Sequence, residues 1–211
     1  MIKKHYQKFV AWYYDHFMKG LEKVLTKHRQ DLIGYASGNI LEVGAGTGVN
    51  FDLYPENVQV YAIEPSVPMF KKALKKAEKY PHIQVFNIGI EEVKENKKLP
   101  DTFDTIASML VLCTVKDETK AAQIYRDLLK SDGKLLVLEH IHASGRFYGK
   151  VQQIVNPVWR PLADGCNLTR RQDIILKNAG FEALFEEHFS LGTDWYKAVM
   201  KLKNKPYNQS Y

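Results

Sequence analysis

The chain has 211 residues, of which 45% are apolar and 12% are aromatic. That length fits one domain with a sizeable core, and the apolar share excludes a disordered chain. The formal net charge is +6, and the longest apolar runs are only as long as a strand, so no membrane-spanning helix is predicted. No apolar leader follows the first lysines, which argues against a secretory signal peptide.

The chain contains two cysteines and no Cys-x-x-Cys pair. This spacing predicts neither a disulfide framework nor a zinc site, and we expect a reducing, cytoplasmic setting.

The first segment, residues 2–28, places apolar side chains at a helical period with lysines between them. Trp12 and Tyr14 lie off this stripe, so the predicted helix is unusually aromatic. The pattern predicts a helical cap over residues 1–38 and leaves peripheral contact with a membrane open. The lysines between residues 71 and 79 instead fit the solvated face of a helix, which does not favour nucleic acid as a partner.

After Gly38, short apolar runs alternate with helical segments. The predicted strands are Ile40–Val43, Val58–Ile63, Ile83–Phe86, Phe103–Ser108 and Lys134–Glu139. Helices are predicted near Gly48–Tyr54, Ser66–Lys79 and Asp117–Lys130. This alternation predicts an α/β fold with a doubly wound, Rossmann-like parallel sheet, whose ligands lie at the carboxyl ends of the strands.

The regular alternation stops after Glu139. The stretch to Leu168 is predicted to be irregular, and residues 144–168 are expected to cap the acceptor side of the site. Thr169 with Gln172 is typical of a capping box that opens a helix ending at Gly180. Phe181–Phe189 and Trp195–Leu202 predict a final antiparallel pair of strands. No repeat or linker divides residues 1–211, so a single domain is expected.

The most informative segment is Leu41–Gly48, with the sequence Leu-Glu-Val-Gly-Ala-Gly-Thr-Gly. A strand leads into alternate glycines and then a helix, which lets the backbone approach a ligand closely. The nicotinamide fingerprint requires a small residue where Val49 stands and has no use for Glu42. The Glu-x-Gly-x-Gly-x-Gly pattern is similar instead to that of class I methyltransferases, which bind S-adenosylmethionine (SAM).

That resemblance implies further cofactor contacts after the next strands. Glu64 ends the second strand, where a carboxylate can accept both ribose hydroxyls. Ile90 is expected to pack on the adenine and Glu91 to bind its amine, while Met109 and Leu110 would lie beside the methionine part. The complete predicted cofactor set is Glu42, Gly44, Ala45, Gly46, Gly48, Glu64, Ile90, Glu91, Met109 and Leu110.

Other stretches make the resemblance more specific. Val111–Asp117, Leu138–Ile141, Asn156–Trp159 and above all Asp164–Arg170 resemble the methyltransferase-like-seven group of alkyl-thiol methyltransferases and its bacterial relatives. The resemblance spans about Leu41 to Phe189 and implies a small-molecule acceptor, with a thiol as the expected case. Microsomal members of that group begin with a hydrophobic anchor, whereas this chain begins with the amphipathic pattern described above.

Motifs that this sequence lacks exclude several classes of methyl acceptor. Ser108-Met109-Leu110-Val111 stands where adenine amino methylases carry Asn/Asp-Pro-Pro-aromatic, and Cys113 follows a leucine rather than the proline of pyrimidine carbon methylases. Two catalytic functions remain open, methylation of a small molecule such as a thiol and N-methylation of phosphatidylethanolamine. A non-catalytic SAM-binding protein is the alternative from another class.

A thiol reacts as its thiolate, so a nearby base would help. The candidate catalytic residues are His140, after the fifth strand, and Asp164, in the irregular segment. His142 alternates with His140 and is therefore expected on the opposite face. The two histidines lack further ligands for a metal, and Cys113 and Cys166 are predicted to be buried apolar residues, so no metal is predicted.

Overall fold

The computed structural model of the protein describes residues 23–163 and 165–203. The predicted N-terminal helix up to residue 22 and the predicted catalytic residue Asp164 therefore lie outside the described residues. The described part of that helix, α1, covers residues 23–33 and continues past the predicted end at His28.

The described strands form a single seven-stranded sheet in the order β3-β2-β1-β4-β5-β7-β6. The first five strands run parallel, and β7 is antiparallel to both β5 and β6. The predicted doubly wound sheet with an antiparallel end is confirmed. The strands are β1 (Asn39–Val43), β2 (Gln59–Ile63), β3 (Ile83–Phe86), β4 (Phe103–Met109), β5 (Leu129–Ile141), β6 (Phe181–Ser190) and β7 (Asp194–Leu202).

Helices cover both faces of this sheet. After α1 follow α2 (Val67–Ala77), α3 (Glu118–Leu128), α4 (Arg146–Leu162) and α5 (Gln172–Asn178). Along β5, Leu135 and Val137 join the apolar cluster under α3 and α5, while Leu136 and Leu138 join the cluster under α1 and α2. This strict alternation is what a strand buried on both faces requires.

The predicted helix near Gly48–Tyr54 is wrong, because only a short 3-10 turn forms, at Phe51–Leu53. Gly48 holds a φ of +82°, which a right-handed helix cannot contain. Pro55 keeps Tyr54 in an extended conformation (φ −75°, ψ 132°), so the intervening residues have room for one turn.

The predicted irregular stretch after Glu139 is also wrong, because most of it forms the 17-residue helix α4. Pro157 and Pro161 lie inside this helix, where each removes one backbone donor. The predicted capping box is wrong as well, because Arg171 begins α5 without a side-chain cap and the Thr169 hydroxyl donates to Oδ1 of Asn167.

Candidate functional site

A cavity of about 840 Å³ opens at the carboxyl ends of the parallel strands, between the loops that follow β1, β2 and β4. The neighbours β2 and β4 flank β1, so the strand order reverses here, and this is where open α/β sheets bind ligands. Most of the predicted site residues line it, namely Gly44, Ala45, Gly46, Glu64, Ile90, Glu91, Met109, Leu110 and His140. Glu42 and Gly48 do not line it.

Gly46 leaves open space beside the backbone in the lining of the cavity. It has a φ of +60°, and a Cβ added there would meet no atom within 4 Å. A Cβ added at Gly48, by contrast, would meet the ring of Phe51 at 2.7 Å. Gly46 therefore leaves space for a ligand, whereas Gly48 leaves space for the protein's own core.

The Glu64 carboxylate ties the glycine turn to the end of β2. Its Oε2 accepts a hydrogen bond from the Gly46 amide at 2.9 Å, and its Oε1 accepts one from the Ser66 amide at 2.7 Å. Glu64 also lines the cavity, so the carboxylate that holds the turn borders the space for a ligand. Glu64 can thus hold the turn and bind the hydroxyls of a ligand together.

A buried polar chain beneath the glycine turn was missed by the sequence reasoning. Arg29 of α1 donates from Nη1 to Oδ1 of Asn50 at 3.1 Å, and Nδ2 of Asn50 donates to Glu42 at 2.9 Å. Burial raises the pKa of Glu42 to about 7, although the Asn50 amide and the Arg29 charge favour its ionised form. Arg29 and Asn50 both line the cavity, so Glu42 acts on the site through Asn50.

The loop after β4 is held in a strained conformation. Leu110 has a φ of +64°, which is uncommon for a residue with a side chain and occurs most often at functional sites. The buried Oε1 of Glu139 accepts hydrogen bonds from the amides of Val111 (2.7 Å) and Leu112 (2.8 Å). Burial raises the pKa of Glu139 to about 7. This carboxylate fixes the path of the chain toward Cys113.

Cys113, His140 and Cys166 lie close together in the lining of the same cavity. Their ligand-capable atoms all lie within 4.8 Å of one another, and Nε2 of His140 is 2.9 Å from Sγ of Cys166. Cys113 is buried, as predicted, but Cys166 is only half-buried, and both line the cavity. The prediction of two inert apolar cysteines is therefore incomplete. His142 points away and contacts the Gly149 carbonyl.

The charges in this cluster depend on one another. The interaction with Cys113 and the hydrogen bond with His140 lower the pKa of the Cys166 thiol, against the effect of burial. The same interaction with Cys166, together with burial, raises the pKa of Cys113. Burial would lower the pKa of His140, but the hydrogen bond and charge of Cys166 and the charge of Glu139 outweigh it and raise that pKa.

Asp164–Arg170 was predicted as the most distinctive stretch, and its described part is residues 165–170. Hydrogen bonds connect these residues to the loop after β4. The Asn167 amide donates to the Cys113 carbonyl at 2.8 Å, and the buried Arg170 guanidinium binds the Leu112 carbonyl. Arg170 also pairs with Glu118 at 3.0 Å. These bonds bring Cys166 beside Cys113, although 53 residues separate them in the sequence.

Apolar side chains surround the cluster on the cavity side. Trp195 meets the His140 ring edge-on, with ring centroids 6.1 Å apart. Val155, Trp159, Leu168 and Leu191 are further apolar residues that line the cavity. Such walls suit a small acceptor that is apolar except at its reacting atom.

Known proteins with similar sequences are methyltransferases. A profile described as a methyltransferase domain matches residues 13–185. The human thiol S-methyltransferase TMT1B is 33% identical over 172 residues, which cover 79% of this chain and 70% of that protein. Human TMT1A is 29% identical over 185 residues, which cover 86% of this chain and 76% of that protein. A phosphatidylethanolamine N-methyltransferase of Cereibacter sphaeroides is 30% identical, but over only 49% of this chain and 51% of that protein.

The fold is shared with a solved SAM-dependent methyltransferase of Leishmania major, at 14% identity and a TM-score of 0.68, covering 94% of this chain and 81% of that one. The matched profile spans most of the chain, and the cavity lies at the switch point where this fold binds its cofactor. The chain therefore belongs to the methyltransferase-domain family and is a SAM-dependent enzyme that methylates a small molecule.

Proposed function

We propose that this enzyme methylates the sulfur atom of a small, weakly polar thiol. The observation that carries the proposal is the acceptor end of the cavity, where Trp159 and Trp195 stand beside the thiol and imidazole groups of Cys166 and His140. The similarity to thiol S-methyltransferases over most of the chain supports the same acceptor.

The residues of the other end fit SAM. The open space at Gly46 would receive the methionine part, and Glu64, which lines the cavity, would accept hydrogen bonds from the ribose hydroxyls. The buried Ile90 and the exposed Glu91 would contact the adenine. This assignment extends the sequence prediction to named contacts.

Arg29 is the residue that we add to the cofactor site. The methionine part of SAM ends in an ammonium and a carboxylate, and the carboxylate needs a cation or several donors when it is buried. Arg29 and the amide of Asn50 line the cavity near the glycine turn. We assign Arg29 to the carboxylate and Asn50 to its alignment.

When bound, SAM supplies a methyl group on a positively charged sulfur, which a nucleophile attacks in line. The chain has to hold the acceptor sulfur close to that methyl group and exclude water. The strained turn at Leu110 and the walls from α4 and β7 would do both. His140 remains the predicted base for the thiol proton.

An acceptor panel tests the thiol proposal. The purified enzyme would be given SAM and benzyl mercaptan, phosphatidylethanolamine vesicles, a catechol or a demethylated quinone, with S-adenosylhomocysteine as the readout. We expect the thiol to be turned over fastest. Turnover of the phospholipid without the thiol would instead establish the lipid N-methyltransferase that the partial match to such an enzyme favours. SAM binding without product from any acceptor would indicate a non-catalytic SAM-binding protein.

We also propose that the enzyme works in the cytoplasm, on the surface of a membrane. The free thiols of Cys113 and Cys166 suit a reducing compartment. Trp12 and Tyr14 stand among lysines in the sequence, and α4 exposes Phe147, Ile154 and Val158. Among the described residues, none of the helices combines the length and apolar character that crossing a membrane requires.

Liposome flotation tests this contact. The intact chain should float with anionic vesicles, and a chain lacking residues 2–22 should float less. A variant with serine at 147, 154 and 158 separates the contribution of α4 from that of the N-terminal segment. An intact chain that stays in the bottom fraction of the gradient in the presence of anionic vesicles would contradict the proposal.

A further inference from the structure

The cluster of Cys113, His140 and Cys166 has the composition and size of a zinc site. Zinc binds cysteine sulfur at about 2.3 Å and histidine nitrogen at about 2.0 Å, so tetrahedral ligand atoms lie about 3.5–3.8 Å apart. The three ligand atoms here already lie within 4.8 Å of one another. Displacements of less than about 1 Å would complete the geometry. We propose that these three residues bind a zinc ion whose fourth position opens into the acceptor end of the cavity.

The number of ligands points to a site that keeps one position free. Structural zinc sites in proteins are closed by four side chains, whereas catalytic sites use three and leave the fourth to water or substrate. In the described part of the chain these three residues alone share the 4.8 Å limit, and the neighbouring Glu139 carboxylate contacts Cys113 without meeting it. Because all three residues line the cavity, the free position faces the space assigned to the acceptor.

Two buried polar atoms at the cluster have no hydrogen-bond partner in the described part of the chain. Nδ1 of His140 and Oε2 of Glu139 are buried and have no hydrogen-bond partner among residues 23–163 and 165–203. Most buried polar atoms in proteins are paired, so this set is incomplete. A divalent cation bound by two thiolates would leave no net charge of its own and would polarise the His140 ring.

The backbone holds the two sulfur-bearing segments together without the metal. The Asn167 amide bonds to the Cys113 carbonyl at 2.8 Å, and Gly165, with a φ of +89°, turns the chain back immediately before Cys166. A site whose ligands are already in place loses less conformational entropy when the ion binds. Sequence spacing does not reveal this site, because His140 lies near the end of strand β5 while Cys113 and Cys166 lie in two separate loops.

The role of the ion rests on the thiol acceptor proposed above, whereas the zinc site itself does not. A thiol that binds at the open position loses its proton to water, because zinc stabilises the thiolate. The thiolate sulfur then forms a bond to the methyl carbon of SAM while the bond from that carbon to the SAM sulfur breaks. Both products, a thioether and S-adenosylhomocysteine, carry no charge at sulfur. In this scheme His140 is a zinc ligand and not the base.

Metal content is the first test. The tag-free, full-length protein, expressed with zinc and then dialysed, should contain about one zinc per chain by mass spectrometry. Cys113→Ser, Cys166→Ser and His140→Ala should each lose most of it. His142→Ala is the matched control, since His142 lies two residues further along and contacts Gly149 instead, so its zinc content should be unchanged.

Thiol reactivity tests the same site in the unaltered protein. The chain has only two cysteines, so any protection concerns the cluster alone. Both should react with Ellman's reagent at least about tenfold more slowly with zinc than after chelation. Cobalt in place of zinc should give the intense visible bands of a tetrahedral thiolate site. Added benzyl mercaptan should shift these bands if the fourth position is open.

The outcomes separate the two proposals. A protein that binds no zinc, or that keeps it in Cys113→Ser and Cys166→Ser, overturns the zinc site even if thiols are methylated. Cobalt bands that do not respond to the thiol overturn the open position. Zinc bound by the cluster in an enzyme that methylates no thiol would leave the metal site established and overturn only the proposed acceptor.

Discussion

At the scale of single residues, Gly46 leaves open space beside the backbone in the lining of the cavity. Its Cβ position is empty, so Gly46→Val should fill the space of the methionine part and weaken SAM binding by at least about tenfold, or about 1.4 kcal/mol. Gly192→Val is the matched control, because Gly192 also has a positive φ and open space and so carries the same backbone strain. Calorimetry on both folded variants decides the matter, and equal SAM affinities would place the cofactor elsewhere.

Glu64 combines a structural bond with a proposed ligand contact, and two substitutions separate them. Glu64→Ala should weaken SAM binding by about 1–3 kcal/mol, the usual effect of losing charge-assisted hydrogen bonds. Glu64→Gln keeps one acceptor for the Gly46 amide and should lose less. The maximum rate should fall less than the affinity, since the ribose lies away from the reacting methyl. An unchanged dissociation constant for Glu64→Ala would reduce this residue to a support of the glycine turn.

At the scale of elements, the buried Arg170 side chain is one of the contacts that hold residues 165–170 in place, together with the backbone bond from Asn167 to Cys113. Arg170 bonds to the Leu112 carbonyl and pairs with Glu118, and its own carbonyl accepts from the His142 amide. Arg170→Met keeps the length but leaves these partners unpaired, so we expect a loss of about 1–3 kcal/mol in unfolding free energy. The Michaelis constant for the acceptor should rise more than that for SAM.

Arg126→Met is the control for this prediction, because the Arg126 guanidinium bonds to a carbonyl on the surface. Urea unfolding and steady-state kinetics of both variants provide the comparison. If Arg170→Met raises only the Michaelis constant for SAM, the segment does not belong to the acceptor side.

The elements that could be predicted most closely from sequence are the first four parallel strands, which are short and mostly apolar runs. β1 to β4 begin and end within one residue of their predicted bounds. Helix α4 was not predicted, since it contains Pro157 and Pro161, which are disfavoured inside helices. The helix forms nonetheless and lines the cavity on one side. A local sequence pattern does not show whether tertiary packing offsets the loss of a backbone hydrogen bond.

The site likewise combines residues that form a local sequence pattern with residues that only the fold brings together. The glycine turn and Glu64 form a local pattern, which explains why sequence alone could indicate them. Arg29 meets Asn50 from another element, and Cys166 meets Cys113 only through the bonds of Asn167 and Arg170. A lone arginine in an amphipathic helix gives no signal of its partner. The spacing of the two cysteines likewise gives no signal of a shared site.

At the scale of the whole molecule, the cavity is built over two buried carboxylates, and this arrangement opposes stability at neutral pH. Burial raises the pKa values of Glu42 and Glu139 to about 7 from an ordinary value of 4.5. A raised pKa means that the folded state holds the proton more tightly than the unfolded state does. Stability is therefore greatest below about pH 4.5 for these groups and falls as the pH rises toward 7.

Glu42→Gln should remove one of these two contributions. The amide oxygen can still accept the hydrogen bond from Asn50, while the charge that burial penalises is gone. Relative to the wild type, the free energy of unfolding of the variant should increase by roughly 2–3 kcal/mol as the pH rises from 4.5 to 7.5, with no such increase below that range. The contribution of Glu139 is present in both proteins and cancels in the difference. Urea unfolding without cofactor across this range, with the exposed Glu56→Gln as control, measures the effect. A difference that stays constant with pH would mean that the pKa of Glu42 is the same in the folded and unfolded states, so that Arg29 and Asn50 fully offset the effect of its burial.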